Sequence, residues 1–491
     1  MLLALLLVPT LAGALAFASP SDRRQRAILV GAASAQMALV IASLARTPGP
    51  ALGGWLQADS IGLLFLTITC VLFLMASVYA VGYLGQEIQT TRPDWVSGSL
   101  FSNAPERVFV GCMLLFLSAM TLVTISHHLG LLWVGVEATT LASAPLIYFH
   151  RHHRSLEATW KYLLICSVGI ALALLGTFFL AVAASSGSGT PIPLVLEDLI
   201  ASGGQLHAEW LKAAFLLFLV GYGTKMGMAP FHTWLPDAHS EAPSLVSALM
   251  SGALLNCAFV GILRAYQIAI AAGQGAFVQE LLIGFGLVSM AVAAVFIIRQ
   301  ADYKRMLAYS SVEHMGILSL GVGIGGAATF GAMFHAVNHS LAKALLFLVA
   351  GNVLALYRTT ATRSVRGMLR LLPISGPLWV IGFLAITGSP PFGSFLSEFT
   401  ILQASFTTGH VVVAVLYLGL LTVVFIGMAT VMLRMAQGEP WLDPTSRTRE
   451  AVLAVLPPAL LALAVLLLGV YVPPGLDSAL QSAAGLLGGG R

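Results

Sequence analysis

Charge is what this sequence has least of. Only 9% of its 491 residues are Asp, Glu, Lys or Arg, against roughly 25% in soluble globular proteins, so its surface cannot mostly face water. Between the apolar runs no polar stretch is long enough to form a second, soluble domain. Cysteine is scarce too: Cys70, Cys112, Cys166 and Cys257 each lie singly inside an apolar run. No CxxC or Cys/His spacing suggests a zinc site, an iron–sulfur cluster or a disulfide framework. Small buried side chains is the reading of all four. A nucleotide-binding glycine loop and a basic patch of the nucleic-acid type are also missing. Neither a cofactor nor nucleic acid is therefore expected. The first eighteen residues resemble a signal peptide, but no Lys or Arg precedes the apolar run, so they read as a first transmembrane helix.

What is abundant is apolar sequence: 58% of residues are hydrophobic and the mean hydropathy is +0.91. Runs of about 20 residues, each enough to cross a bilayer as a helix, recur from end to end. Fourteen spans are expected, at 1–18, 27–45, 61–84, 107–126, 129–149, 160–184, 211–231, 243–266, 279–298, 306–324, 328–356, 374–402, 411–433 and 451–472. The fold class is thus an all-α integral membrane protein. The longest loops, 85–106 and 185–210, separate otherwise closely spaced helices, the second carrying a short amphipathic piece.

Positive charge sets the orientation. Loops that follow odd-numbered spans hold Arg23, Arg24, Arg26, Arg92, Arg107, Arg151, Arg154, Lys161, Arg299, Lys304, Arg305, Arg358, Arg363, Arg366, Arg370, Arg434, Arg447 and Arg449, 18 of the 24 Lys and Arg residues. The other side holds Arg46, Lys212, Arg264 and Arg491. Both termini should then face outward, as in a bacterial inner membrane with its cytoplasm on the basic side. Lys225 and Lys343 fall inside spans.

A charge at mid-bilayer costs at least ~2.5–3.5 kcal/mol, and such residues usually face a bundle interior or a watery cavity on an ion or proton path. Here such residues form a set of eight: Glu137, Lys225, Glu313, His314, His335, His339, Lys343 and Glu398. A packing salt bridge accounts for any one of them about as well as a path does. A set of eight over five spans favours the path. Glu137, in LWVGVEATT, and Lys225 are natural partners: desolvation raises a carboxylate's proton affinity and depresses a lysine's, so a pair can load and unload a proton.

Lys225 lies in Gly221–Pro230, GYGTKMGMAP, whose glycines and proline should break the seventh helix. Thr387–Gly393, TGSPPFG, should interrupt the twelfth, with Glu398 five residues on. Two interrupted spans, each with an ionisable residue, mark an inverted-repeat transporter. Spans four to eight and nine to thirteen make two five-helix sets with the break fourth in each. The chain divides accordingly into 1–106 (three helices), 107–270 (first repeat), 271–436 (second repeat) and 437–491 (last helix).

His335, His339 and Lys343 stand at i, i+4 and i+8, about 6 Å apart along one helix face, a spacing that suits proton hops through water. A His/His metal site is the rival reading. HExxH is absent and the lysine in line would repel a cation, so no metal is expected. His150-Arg-His-His-Arg154 sits at a span end, where it reads as a topology determinant. In Pro236–Pro243, Asp237, His239 and Glu241 form either a proton-access funnel or a capped turn.

Lys225–Pro243, KMGMAPFHTWLPDAHSEAP, closely resembles the signature of the proton-pumping membrane subunits of respiratory complex I, a pattern shared with Mrp-type antiporters and membrane-bound hydrogenases. DYKRMLAYSSVEHMG (302–316), HAVNHSLAKALLFLVAGNV (335–353) and GSPPFGSFLSEFTIL (388–402) fit as well. EATTLASAPLIYFHR with SLEATWKYLLICSVGIALALLGTFFLA looks most like component F of hydrogenase-4. The resemblance covers about 107–402. It implies fourteen helices in two inverted repeats, Glu137 and Lys225 as the charged pair of one half-channel, Lys343 or the histidines as central relay, and Glu398 as terminal residue of the other. It also implies other membrane subunits as partners, further antiporter-like ones among them, a soluble redox module on the cytoplasmic side, and no redox cofactor in this chain. Two departures stand out. Asn256 occupies a position near where many relatives carry a lysine, and the chain ends at Gly488–Arg491 without the long lateral helix of the largest relatives. A proton-translocating subunit of a hydrogenase-like or complex-I-like pump is the expected function, with an Mrp-type sodium/proton antiporter subunit and a purely structural anchor as alternatives.

Overall fold

A computed structural model of the chain describes residues 1–87, 92–93, 98, 100–185, 192–440 and 450–489. Arg447, Arg449 and Arg491 from the charge tally lie outside the described residues, as does most of 185–191, and the Arg92 side chain is not described. The helices are α1 (Leu2–Ala18), α2 (Asp22–Ala45), α3 (Ser60–Gln86), α4 (Glu106–Ile125), α5 (Leu129–Ile147), α6 (His153–Ser185), α7 (Leu196–Ala201), α8 (Ala208–Met226), α9 (Trp234–Glu241) and α10 (Ser244–Leu249). They continue with α11 (Leu255–Ala271), α12 (Gly275–Ile297), α13 (Tyr303–Ile324), α14 (Ala327–Tyr357), α15 (Met368–Leu371), α16 (Ser375–Ile386), α17 (Gly393–Thr407), α18 (Val411–Ala436), α19 (Val452–Val470) and α20 (Pro474–Gly485).

Every expected span has its helix, the twelfth as the separate pieces α16 and α17. Among the described residues, ten helices are long and apolar enough to cross a membrane by length and composition, with α10 and α11 joined as one. The other expected crossings are α1 and α16, which are apolar but short, the short α17, and α8 and α13, which carry Glu209, Lys212 and Lys225, and Lys304, Arg305 and Glu313. The chain is a multi-pass helical membrane protein. Helix α6 begins at His153, earlier than expected, so Arg154 and Lys161 ride on a helix rather than a loop. All four cysteines are free and buried.

Helix α14 is the hub, touching α3, α10, α13, α16, α17, α19 and α20. Helix α6 packs along α8 and α12 along α13. The α10–α11 crossing is wholly enclosed, whereas α2 and α18 are largely exposed at the periphery. Between α10 and α11 the chain makes one π-helical turn, Met250–Leu254, a feature that often accompanies functional sites. Gly252 in that turn leaves room for the α14 backbone at Ser340, which a Cβ would crowd.

Both expected breaks are present and share one construction. Helix α8 ends on Gly227 in the left-handed conformation, with the Gly227 and Met228 amides donating to the Thr224 and Gly223 carbonyls. Helix α16 ends before Gly388, also left-handed, with the Thr387 and Ser389 amides donating to Phe383 and Leu384. Such a glycine closes a helix while satisfying its last carbonyls. Three residues after each glycine comes Pro230 or Pro391, each preceded by a cis peptide bond.

Candidate functional site

Two polar clusters form around the breaks. In the first, the Lys225 ammonium, at the end of α8 and 0% exposed, donates to Thr140 Oγ1 at 2.8 Å and to Tyr162 Oη at 2.5 Å. It also lies over the Tyr162 ring, 4.4 Å from the centroid, a favourable place for a desolvated cation. Tyr162 Oη meets Ser143 Oγ at 2.6 Å. Glu137 does not touch Lys225 directly. Its carboxylate accepts from Thr140 Oγ1 at 3.4 Å and from Ser167 Oγ at 3.1 Å, so the Thr140 hydroxyl links the pair. The sequence places Glu137 among the buried charges, but the structure leaves it half-buried in the seam between α5 and α6. Exposed Val134, Leu141, Leu164 and Val168 surround that seam.

In the second cluster, α13, α14 and α17 bring together His314, His335, Ser397 and Glu398. His314 Nδ1 and His335 Nε2 are 2.8 Å apart, and His335 Nδ1 lies 2.9 Å from Ser397 Oγ, which donates to the Ser394 carbonyl at 2.8 Å. Two tautomeric arrangements satisfy this line. In one, protons point from His314 through His335 to Ser397; in the other each is reversed, with the Ser397 hydroxyl turned toward His335. Glu398 lies within 4.8 Å of both imidazoles, and its Oε1 has no hydrogen-bond partner among the described residues. Its carboxylate packs on Gly388 of the second break, where any Cβ would overlap Oε2. Glycine is therefore required there twice, for space and for φ +60°.

Helix α14 supplies the rest. The His339 ring stands 4.8 Å from that of His314 and 6.4 Å from that of His335. The i, i+4 pair of histidines is thus near but unlinked; the direct bond runs from His335 across to His314 on α13. Lys343 donates to the Leu307 carbonyl at 2.6 Å and to Ser310 Oγ. Glu313 is buried on the same helix, α13.

His239 lies between the clusters and is 0% exposed. Its ring is 6.1 Å from Trp234, which in turn is 5.0 Å from Tyr162, and 5.8 Å from Phe347 on α14. Its Nδ1 is 2.9 Å from the Leu235 carbonyl, while its Nε2 is buried without a partner among the described residues. Asn256 takes part through α11: its amide donates to Ser340 Oγ on α14 at 2.8 Å. Ser251 in the π turn meets Ser311 at 2.8 Å.

The supposed funnel Asp237, His239 and Glu241 is pulled apart. His239 points into the core, and Asp237 accepts from Lys161 at 2.9 Å and Arg305 at 2.5 Å. Glu241 instead faces His152 and Arg154. Lys304, counted as a loop charge, is 1% exposed and donates to the Ser240 and Ala242 carbonyls at 2.8 and 2.6 Å, closing the end of α9. His150 is likewise engaged, with Asn103 and Tyr83.

A third network, absent from the sequence reading, holds the far ends of the helices. Arg264 of α11, 1% exposed, clamps Asp59 with two bonds of 2.6 and 2.7 Å and touches His127 at 3.4 Å. His127 reaches Glu197 at 2.6 Å. Burial alone would raise the Asp59 carboxyl, but the Arg264 guanidinium and His127 hold it well below the usual carboxylate range.

The membrane family described as NADH:quinone oxidoreductase/Mrp antiporter matches residues 126–425, which contain every residue of the two clusters. A hydrogenase-4 component F homolog from Methylacidiphilum infernorum (isolate V4) is 35% identical over 441 residues, 89% of either chain. A Na(+)/H(+) antiporter subunit A1 of Staphylococcus aureus (strain JH9) is 29% identical over 86% of this chain, which spans about half, 53%, of that longer protein. A chain from the structure of respiratory complex I from Thermus thermophilus with bound NADH superposes with a TM-score of 0.80 over 100% of each chain at 25% identity.

Proposed function

The chain belongs to the NADH:quinone oxidoreductase/Mrp antiporter membrane family, and from that premise we propose that it is the proton-translocating, non-redox subunit of a hydrogenase-like or complex-I-like pump. The observation that carries this reading is the hydrogen-bonded line His314–His335–Ser397 beside the unpartnered Glu398 oxygen. A line with two tautomeric arrangements passes a proton when one end is loaded and the other relieved, and then resets by reversal. No such construction is needed merely to pack helices.

Lys225 and Glu137 supply the second proton-exchanging pair, with the Thr140 hydroxyl between them and Tyr162 holding the ammonium from its other side. His239, Asn256, Ser340, His339 and Lys343 occupy the stretch between the clusters, with Glu313 close by on α13. Asp237, tied to Lys161 and Arg305, holds α6, α9 and α13 together at the basic side instead of admitting protons. Residues 107–270 and 271–436 are read as the two repeats, each owning one break and one cluster, between 1–106 and 437–491. A bacterial inner membrane with both termini outside fits the distribution of Lys and Arg. The Glu137 seam, polar at its centre and apolar around, suits contact with a further antiporter-like membrane subunit; a cytoplasmic redox module would drive the cycle.

Replacing Lys225 with Ala should abolish proton translocation by membrane vesicles carrying the assembled complex. Unchanged translocation with intact assembly contradicts the proposal. Likeness to the staphylococcal antiporter subunit favours sodium/proton exchange as a second reading. Proton flux that requires sodium in the same vesicles would decide for it.

A further inference from the structure

Where α13, α14 and α17 meet, the residues of the second cluster have the donor set of a transition-metal site. One ring nitrogen each of His314 and His335 and one carboxylate oxygen of Glu398 lie within 4.8 Å of one another. The three residues are 1%, 0% and 7% exposed. Glu398 Oε1 is buried with no hydrogen-bond partner among the described residues. We propose that His314, His335 and Glu398 bind one divalent transition-metal ion of the zinc class, which acts as an inhibitor of the chain.

Two imidazoles and one carboxylate are the three-ligand set of catalytic zinc centres, in which a fourth position is left to water. Imidazole nitrogens select against magnesium and calcium, which take oxygen ligands almost exclusively. Around a tetrahedral zinc with bonds of about 2.0–2.2 Å the ligand atoms stand roughly 3.4 Å apart. The His314–His335 contact of 2.8 Å opens slightly to reach that spacing, and Glu398, tied by no hydrogen bond at Oε1, closes in by side-chain rotation. Ser397 orients His335 through its other ring nitrogen, the outer-shell support that metal-bound histidines usually have. The site differs from the His335/His339 pair along a single helix: its second imidazole comes from the neighbouring α13, and the Glu398 carboxylate supplies the negative charge against Lys343 that the histidine pair lacks. A bound ion takes the ring nitrogens through which His314 and His335 hand over a proton, so the inhibition, though not the binding, rests on the proton relay proposed above.

The test uses the purified full chain. Zinc is titrated by equilibrium dialysis, and cobalt serves as an optical probe of four-coordinate ligation that zinc should displace. One zinc per chain is expected, with affinity reduced at least 100-fold in His335→Ala and in Glu398→Gln and unchanged in His153→Ala, an exposed histidine. His314→Gln is the additional variant should either of the first two fail to fold. No saturable zinc binding, a cobalt spectrum that is not four-coordinate, or binding untouched by these substitutions overturns the site. Proton flux in vesicles is read separately. Flux stopped by zinc supports both readings, whereas binding that leaves flux intact upholds the site and contradicts the relay.

Discussion

Thr140→Val removes the hydroxyl through which the Lys225 ammonium reaches the Glu137 carboxylate, while keeping the shape of the side chain. Lys225 is fully buried and has two hydrogen-bond acceptors, Thr140 at 2.8 Å and Tyr162 at 2.5 Å. A hydrogen bond to a charged group contributes about 1.5–3 kcal/mol, which corresponds to roughly 10- to 150-fold in the population of a linked state. The ammonium keeps Tyr162 and the face of its ring, so the helices should still assemble. Proton translocation per assembled chain, measured by fluorescent-dye quenching in membrane vesicles, should therefore fall at least 10-fold in Thr140→Val. Thr140→Ser, which restores the hydroxyl, should recover most of it. Wild-type flux in the valine variant, or equal damage from serine and valine, would refute the idea that this hydroxyl joins the pair.

Ser397→Ala leaves His335 Nδ1 without its partner and should lower flux by an order of magnitude, with Ser397→Thr close to wild type in the same vesicle assay. Lys304→Met strips two carbonyls at the end of α9 of their donor; at about 1–3 kcal/mol for each buried group left unpaired, it should lower the melting temperature and speed proteolysis near Ser240. Asp59→Asn leaves Arg264 buried without its anion, at a cost of about 3–5 kcal/mol, seen as a lower melting temperature at neutral pH. Because the Asp59 carboxyl is held low in the fold, its contribution is complete above the unfolded value of about 4 and is lost as pH falls below it. Melting temperature against pH should accordingly be flatter on the acid side in Asp59→Asn than in wild type.

The helices were legible in the sequence because each apolar run had to form hydrogen bonds within itself once in lipid, and their order followed from short connections. The breaks were legible too, since glycine and proline act locally: GYGTKMGMAP and TGSPPFG end helices where they occur. The ionisable residues announced themselves by being in the wrong solvent. Their partners did not. Thr140, Ser143, Tyr162, Ser310 and Ser397 are residues any membrane helix can carry, and only packing reveals which of them face Lys225, Lys343 or His335. Spacing along α14 suggested a His335–His339 step, yet the direct bond crosses to His314 on another helix. Lys304 illustrates the reverse error. Positive charge at a span end reads as topology, but here the chain folds back so that α9 covers it. The Asp59–Arg264–His127–Glu197 network joins residues up to 205 positions apart, beyond the reach of any local pattern.

Whether the two clusters work in series along one proton path is read from flux in vesicles carrying Lys225→Met, Glu398→Gln and the double variant, each normalised to assembled chain. A path in series predicts that either single substitution abolishes flux as completely as the double, because groups that act as one unit are not additive. Substantial flux in each single variant, with losses that add in the double, would mean two independent routes and rule out a single path in series.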